Sequence, residues 1–213
     1  MRQLTKNIFI FAGNKLFPAF ILTTSVAASI AQAAPQGGVI VAGQGSITSA
    51  PNTTNVNQQT GSMVVDWNSF NVASQETVNF NQPSSSAAAL NRIYDQSPSQ
   101  IFGAINANGR VFLSNPNGMV FGQNATINVG ALVATGLSIS NEDFMNGNLH
   151  FNADNYTPGS IINHGLISAA SGGSVSLIGG QVTNTGYIVA DYGQINLATG
   201  KQAVLNFDGD GLI

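Results

Sequence analysis

Apolar and polar residues alternate along this chain in short bursts, and the bursts are separated by corners of Gly, Asn, Pro and Ser. From Gly61 to Val72 (GSMVVDWNSFNV), Met63, Val65 and Trp67 share one face of an extended segment, with Val64, Asp66 and Asn68 on the other. That pattern predicts a strand with one face in a core. Thr77 to Asn81 (TVNFN) repeats it with Val78 and Phe80 inward, whereas Gln82 to Ala89 (QPSSSAAA) has no face and reads as a connection. Gly37 to Thr48 has the look of an N-terminal strand, and the irregular region from Val39 to Trp67 reads as a cap, with a polar loop over Asn52 to Gln59.

The stretch from Asn106 to Ala134 states one unit twice. Asn106-Ala-Asn108-Gly109-Arg-Val-Phe112 returns nine residues later as Asn115-Pro-Asn117-Gly118-Met-Val-Phe121. Each copy is a turn followed by a short apolar run. Asn-Gly tolerates positive φ, while Pro116 sets its own φ and pushes Asn115 towards extended geometry.

From Ile161 the chain becomes periodic. Asn163-His-Gly165-Leu-Ile167-Ser-Ala169 lines up with Asn184-Thr-Gly186-Tyr-Ile188-Val-Ala190 at an offset of 21, and Val175-Ser-Leu177 with Ile195-Asn-Leu197 at 20. Asn128-Val-Gly130-Ala-Leu132-Val-Ala134 carries the same phrase. A period of about 20 residues with short strands between corners predicts a solenoid. Inward Val, Ile and Leu stack on their equivalents one coil away, outward Ser, Asn and Gln stay wet, and backbones pair at about 4.8 Å. The architecture is thus an all-β parallel β-helix of about nine coils, a rod near 40 Å long. A sandwich would need hairpin turns every ~8–12 residues. The segment Asn141-Glu142-Asp143 reads as an acidic turn, and the run from Ala203 to Ile213 as an unblunted strand, so the chain is expected to be the front piece of a longer protein or a truncated one.

Composition supports this picture. The 213 residues include 24 glycines and no cysteine, and only 7% are charged although 43% are hydrophobic. Polar cover must come from amides and hydroxyls, which suit turns and strand faces.

Three of the six basic residues, Arg2, Lys6 and Lys15, precede an apolar run from Leu16 to Val26 that is too short to span a bilayer. Ala31-Gln32-Ala33 follows as a small-x-small cleavage site, so residues 1–33 are expected to be a signal peptide, leaving Ala34 first. Cutting one residue later would put Pro35 at the new N-terminus. The remainder carries Arg92, Arg110 and Lys201 against nine acids, a formal charge of −6. Three scattered cations make no nucleic-acid patch. An exported chain without cysteine has no disulfide staples and no cross-links to block passage through a narrow pore.

Other constellations are weak. His150 and His164 lack partners at metal-ligand spacing and read as solvated turn residues, and Asp208-Gly-Asp210-Gly is a lone calcium-like turn. No metal or cofactor is implied. β-Helices include polysaccharide lyases and hydrolases, which need clustered acids or cations beside carboxylates. Here Glu142 and Asp143 would point to opposite sides of an extended chain. Direct glycan or haem capture is the third class, with Trp67, the tyrosines and the Asn/Ser faces as candidates, although Trp67 falls in an apolar alternation that suits a core.

Seven phrases in order carry a resemblance. They are Val65-Asp66-Trp67-Asn68-Ser69-Phe70-Asn71, Val78-Asn79-Phe80-Asn81-Gln82-Pro83, Leu90-Asn91-Arg92-Ile93, Pro98-Ser99-Gln100-Ile101, Gly109-Arg110-Val111-Phe112-Leu113, Asn115-Pro116-Asn117-Gly118 and Leu132-Val133-Ala134. Residues 34–213 resemble the secretion domain of two-partner secretion exoproteins, also called the haemagglutination activity domain, found at the front of filamentous-haemagglutinin-like adhesins. The filamentous-haemagglutinin branch has a second signature, N-P-N-L. Here Asn115-Pro116 is the only Asn-Pro, so the chain looks more like the branch of large adhesins and haem-scavenging exoproteins.

The resemblance implies a right-handed parallel β-helix with an N-terminal cap and small extrahelical β elements. It also implies Sec export, capture by an outer-membrane barrel with periplasmic POTRA domains, and threading outward to the cell surface of a Gram-negative bacterium. A region downstream would meet a host-cell surface. Candidate recognition residues are Asn115, Pro116, Asn117 and Gly118, with Trp67, Asn68, Phe70, Asn91 and Arg92. An extended strand offered to a sheet edge gains affinity from its main chain and selection from its side chains. Stepwise stacking of coils outside would then bias movement outward.

Overall fold

Strands of three to six residues cannot bury an apolar face alone. In the computed structural model, which describes residues 34–207, they do so by stacking into a parallel solenoid on an antiparallel cap. The cap is β1 (Val39–Ala42) and β2 (Gly45–Ala50). The first coil contains β3 (Thr53–Gln58) and β4 (Ser62–Trp67), and the second β5 (Thr77–Asn81), β6 (Ala88–Ile93) and β7 (Ser99–Ile101). The third holds β8 (Ala104–Ala107), β9 (Arg110–Ser114) and β10 (Met119–Phe121), and the fourth begins with β11 (Thr126–Val129) and β12 (Ala131–Thr135). There the chain makes an excursion through α1 (Asn141–Met145) and β13 (His150–Asn152), then returns in β14 (Ile161–Asn163). The fifth coil is β15 (Leu166–Ala169), β16 (Ser174–Gly179) and β17 (Val182–Asn184), and the sixth β18 (Tyr187–Ala190) and β19 (Gln194–Thr199), before β20 (Gln202–Val204) pairs antiparallel with β13.

The second to fifth coils visit three sheets in turn, and the first and sixth contribute strands to the two long sheets only. The first long sheet has the order β18-β15-β11-β8-β5-β3-β2, the second β1-β4-β6-β9-β12-β16-β19, and the short sheet β17-β14-β10-β7. Pairing is parallel except where β1 and β2 close the end on β4 and β3. That closure removes the unpaired edge a first coil would expose.

Register makes the core. Val78, Ile105, Ile127, Ile167 and Ile188 stand in one column of the first long sheet. Met63, Ala89, Val111, Leu132, Val175 and Ile195 form one in the second. A fully buried Val, Leu or Ile contributes about 1.5–3 kcal/mol, and each member of a column before the last coil is buried by its neighbours on either side. The last coil has a neighbour on one side only.

The second long sheet is also covered on its outer face. Val64, Leu90, Phe112 and Val133 form an outward column, and with Phe144, Phe151 and Leu205 they make a second core. Phe112 meets Phe144 edge-on at 5.1 Å, stacks on Phe151 at 6.3 Å and meets Phe207 edge-on at 5.8 Å. Both faces of this sheet are therefore apolar, as its strands' near-continuous burial shows.

Several expectations need correction. There are six stacked coils rather than nine, because successive pairings on the second long sheet are 26, 22, 21, 43 and 20 residues apart. The longest step contains the excursion. The cap is shorter than Val39 to Trp67, since β3 and β4 already belong to the first coil, and the supposed loop over Asn52 to Gln59 is mostly β3. The acidic turn opens a short helix: Ser140 Oγ accepts from the Asp143 amide at 3.0 Å. At the start of the C-terminal run, Gln202–Val204 crosses back as β20, and residues 208–213 lie outside the described residues.

The repeated phrases also diverge. Asn163 and Asn184 are partners, as are Val175 and Ile195, but Asn128 pairs with Ser168 on another sheet. The two units nine residues apart occupy consecutive faces of one coil, so Phe112 points outward and Phe121 inward. Only Gly118 has positive φ, at 94°, whereas Gly109 is needed because a Cβ there would lie 2.7 Å from the Ala87 carbonyl.

Candidate functional site

Three of the motif phrases stack at one edge of the solenoid, where the second long sheet turns towards the short sheet. Asp66, Arg92, Ser114 and Thr135 are in register there, so the turns following β4, β6 and β9 lie one above another.

In the first coil the chain leaves β4 at Trp67. Its indole is buried, stands edge-on to Phe70 at 5.3 Å, and donates from Nε1 to Asn91 Oδ1 at 3.0 Å. Asn91 sits in an otherwise apolar column, with Val65 below and Leu113 above, and its Nδ2 donates to the Phe112 carbonyl at 3.2 Å. A buried amide needs such partners, and here it links three coils. Asn68 is exposed, and its backbone N–H donates to Gln36 O at 3.0 Å, tying the segment before the cap to this corner.

Arg92 points outward. Its guanidinium forms a two-pronged pair with Asp66 one coil below, Nε to Oδ1 at 2.8 Å and Nη2 to Oδ2 at 3.0 Å. A forked Arg–carboxylate pair is geometrically specific.

The Asn115-Pro116-Asn117-Gly118 corner follows β9. Asn115 is buried, and its Oδ1 accepts from the Asn117 amide at 2.9 Å, closing the turn from inside. Its Nδ2 donates to Ser97 O at 3.2 Å and Ser99 Oγ at 3.0 Å in the coil below, and its own N–H donates to Thr135 O at 3.0 Å in the coil above. Exposed Asn117 reaches Asp95 O at 2.7 Å, and the Pro116 carbonyl accepts from Gly159. Gly118 lies against Ser160 so closely that a Cβ would fall 2.3 Å from its carbonyl oxygen.

The structure thus brings all nine candidate residues to one edge, but it turns several inward. Trp67, Phe70, Asn91, Asn115 and Gly118 are buried, Arg92 and Pro116 are half-buried, and Asn68 and Asn117 are exposed. Sequence reasoning missed their partners Asp66, Asp95, Ser97 and Ser99, because irregular coil lengths hide which residues meet.

It also missed the amide ladder on the outer face of the first long sheet. There Asn79 donates to Asn55 at 3.0 Å, Asn106 to Asn79 at 3.1 Å and Asn128 to Asn106 at 3.5 Å. Nor is Gln82 a plain connection: its buried Nε2 donates to Gln58 Oε1 at 3.0 Å.

His164 Nδ1 lies 2.6 Å from Thr185 Oγ1, while His150 lies on β13 rather than in a turn. Among the described residues no three His, Asp or Glu side chains gather. Ala31, Ala33, Asp208 and Asp210 lie outside the described residues, and Ala34 is the first within them.

Comparison with known proteins matches this chain to a family described as the TPS secretion domain, over residues 31–211. The heme/hemopexin-binding protein of Haemophilus influenzae is 35% identical over 193 residues, covering 84% of this chain and 21% of that protein. A second protein of that name from the same species is 46% identical over 71 residues, 33% of this chain and 8% of its own length. The chain therefore spans about a fifth or less of these relatives. The crystal structure of the HMW1 secretion domain from Haemophilus influenzae superposes with a TM-score of 0.77 at 35% identity, covering 84% of this chain and 47% of that one.

Proposed function

The chain belongs to the TPS secretion domain family, whose members are exported by two-partner secretion from Gram-negative bacteria, and from that premise we propose that its edge motifs are read by the transporter before they fold. Burial supports this reading: Asn115 and Asn91 are 0% exposed and Trp67 1%, so their side chains are accessible only in an extended chain. The partner is an outer-membrane barrel whose periplasmic POTRA domains would take the segments around Trp67 to Asn71 and Asn115 to Phe121 as added strands. Outside the cell the same residues become the pins that join each coil to its neighbours. Folding then removes the recognised form, which favours release from the transporter.

Residues 1–33 act on this reading as a Sec signal peptide cleaved after Ala33, and residues 34–213 as the secretion domain of a non-catalytic surface exoprotein. A region downstream of this domain would carry the exoprotein's own adhesion or haem capture.

Two measurements test the proposal. With the matching transporter present, Asn115→Ala and Asn117→Ala should each reduce secretion; unchanged secretion of both would leave them a turn role only. Purified POTRA domains should also bind a chain kept unfolded by Ile105→Asp with Ile127→Asp, and bind the folded domain far less. Equal or tighter binding to the folded domain would overturn recognition before folding.

A further inference from the structure

A second candidate lies away from the motif edge, where the first long sheet turns into the second. Gly109, Gly130, Gly173 and Gly193 stack closely there: a Cβ on Gly130, Gly173 or Gly193 would lie 2.7, 2.0 or 1.7 Å from the carbonyl oxygen of the glycine one coil below. Beside this smooth corner is a groove of about 350 Å³, within the range of small-ligand sites. Ser171, Ser174 and Gln194 line it together with Tyr192 and the stacked pair Arg110 and Phe207.

Arg110 is unusual in this acidic chain. Among the described residues the one ion pair is Arg92 with Asp66, and Arg110 has neither a carboxylate partner nor a side-chain hydrogen bond. Its guanidinium carbon instead lies 4.8 Å from the centre of the Phe207 ring. One face of the guanidinium is thereby held while its planar N–H donors stay available for a carboxylate.

Tyr192 is the second observation. It is 97% exposed and has a φ of 56°, the left-handed region that bulky residues avoid. Ser174 pairs with Gln194, so the equivalent position one coil earlier is Gly172, with a φ of 78°. The turn calls for glycine at both positions. At the second it holds a strained aromatic ring at the rim of the groove, an arrangement associated with binding sites.

We propose that this groove binds an acidic saccharide, with Arg110 pairing its carboxylate, Tyr192 stacking on a sugar ring and the serines and Gln194 taking hydroxyls. Phe207 follows β20, so the site is complete only when that strand has crossed back. The proposal is independent of the secretion reading, since it concerns the folded domain.

Titration of the purified domain with digalacturonic acid, neutral galactobiose and acetate tests it, by calorimetry and by NMR of the Tyr192 ring. Saturable binding of digalacturonic acid is expected, roughly tenfold or more above the other two and lost in Arg110→Gln. Tyr192→Gly should raise the melting temperature by relieving the turn and yet weaken binding, a split that a structural role would not produce. Export of Arg110→Gln should be unchanged. The proposal fails if no ligand saturates, if acetate binds as well as the sugar acid, if Arg110→Gln binds normally, or if Tyr192→Gly leaves affinity intact. It fails as well if Arg110→Gln loses binding and export together, which would make the arginine a folding residue.

Discussion

On the second long sheet the strands of the first two coils and of the sixth, β4, β6 and β19, are each six residues long and carry the same kinds of apolar residue, yet they are held differently. In the early coils the core residues Met63, Val65 and Trp67 are at most 1% exposed, and Asn91 joins Trp67 to Phe112 across three coils. In the sixth coil Ile195 and Leu197, which stand in the same inward columns, are 47% and 49% exposed. Position in the stack therefore matters more than residue type: a leucine is worth its full burial only with a coil on each side. The antiparallel cap supplies that second side at the start. Among the described residues nothing equivalent covers β19.

The largest break in this comparison should come from Asn91→Ala. It leaves Trp67 Nε1 and the Phe112 carbonyl without their partner and opens a void, so a loss of about 3 kcal/mol or more is expected in urea unfolding. Leu197→Ala, a larger deletion of apolar atoms, should cost about 1–1.5 kcal/mol, because half its surface is already wet. Equal losses at the two sites would show that stack position does not set stability.

Hydrogen exchange sharpens the same contrast without mutation. Amides of β6, β9 and β12 should exchange only by global opening, whereas those of β18 and β19 should exchange through local fraying, about 100-fold or more faster. A uniform protection pattern would contradict the difference in packing.

A smaller effect is expected at the outward pair. Asp66→Asn should cost about 0.5–1 kcal/mol, and less in high salt, since both side chains are partly solvated. A loss like that of Asn91→Ala would mean the pair does more than pin two coils.

The smallest effect concerns the excursion. Burial pushes the Tyr156 hydroxyl above its usual pKa, hydrogen bonding with Ser138 opposes the shift, and the charge of Asp154 adds to it. The unfolded tyrosine therefore loses its proton first. The contribution is complete below about pH 10 and declines as pH rises through the folded value. Tyr156→Phe should remove that part of the alkaline slope, read from unfolding curves at a series of pH values.

Much of the fold was legible in the residues. Alternation placed Met63, Val65 and Trp67 on one face, and the offsets of 21 and 20 gave the pairs Asn163 with Asn184 and Val175 with Ile195. Such patterns survive in sequence because a strand's period and a coil's length are local properties. The amide pins were legible only as motifs. Asn91 and Asn115 stood out by resemblance, but no local rule announced that one would hydrogen-bond an indole in the core and the other would reach Ser97 and Ser99.

By itself, then, the order of residues determined the all-β class, the parallel stacking and the corners, since each follows from neighbours within about one coil. Tertiary structure alone decided that six coils form rather than nine, that an excursion and β20 cover the outer face of one sheet, and that Arg110 meets Phe207. Those outcomes depend on residues tens of positions apart becoming neighbours, and irregular coil lengths erase any spacing from which such meetings could be counted.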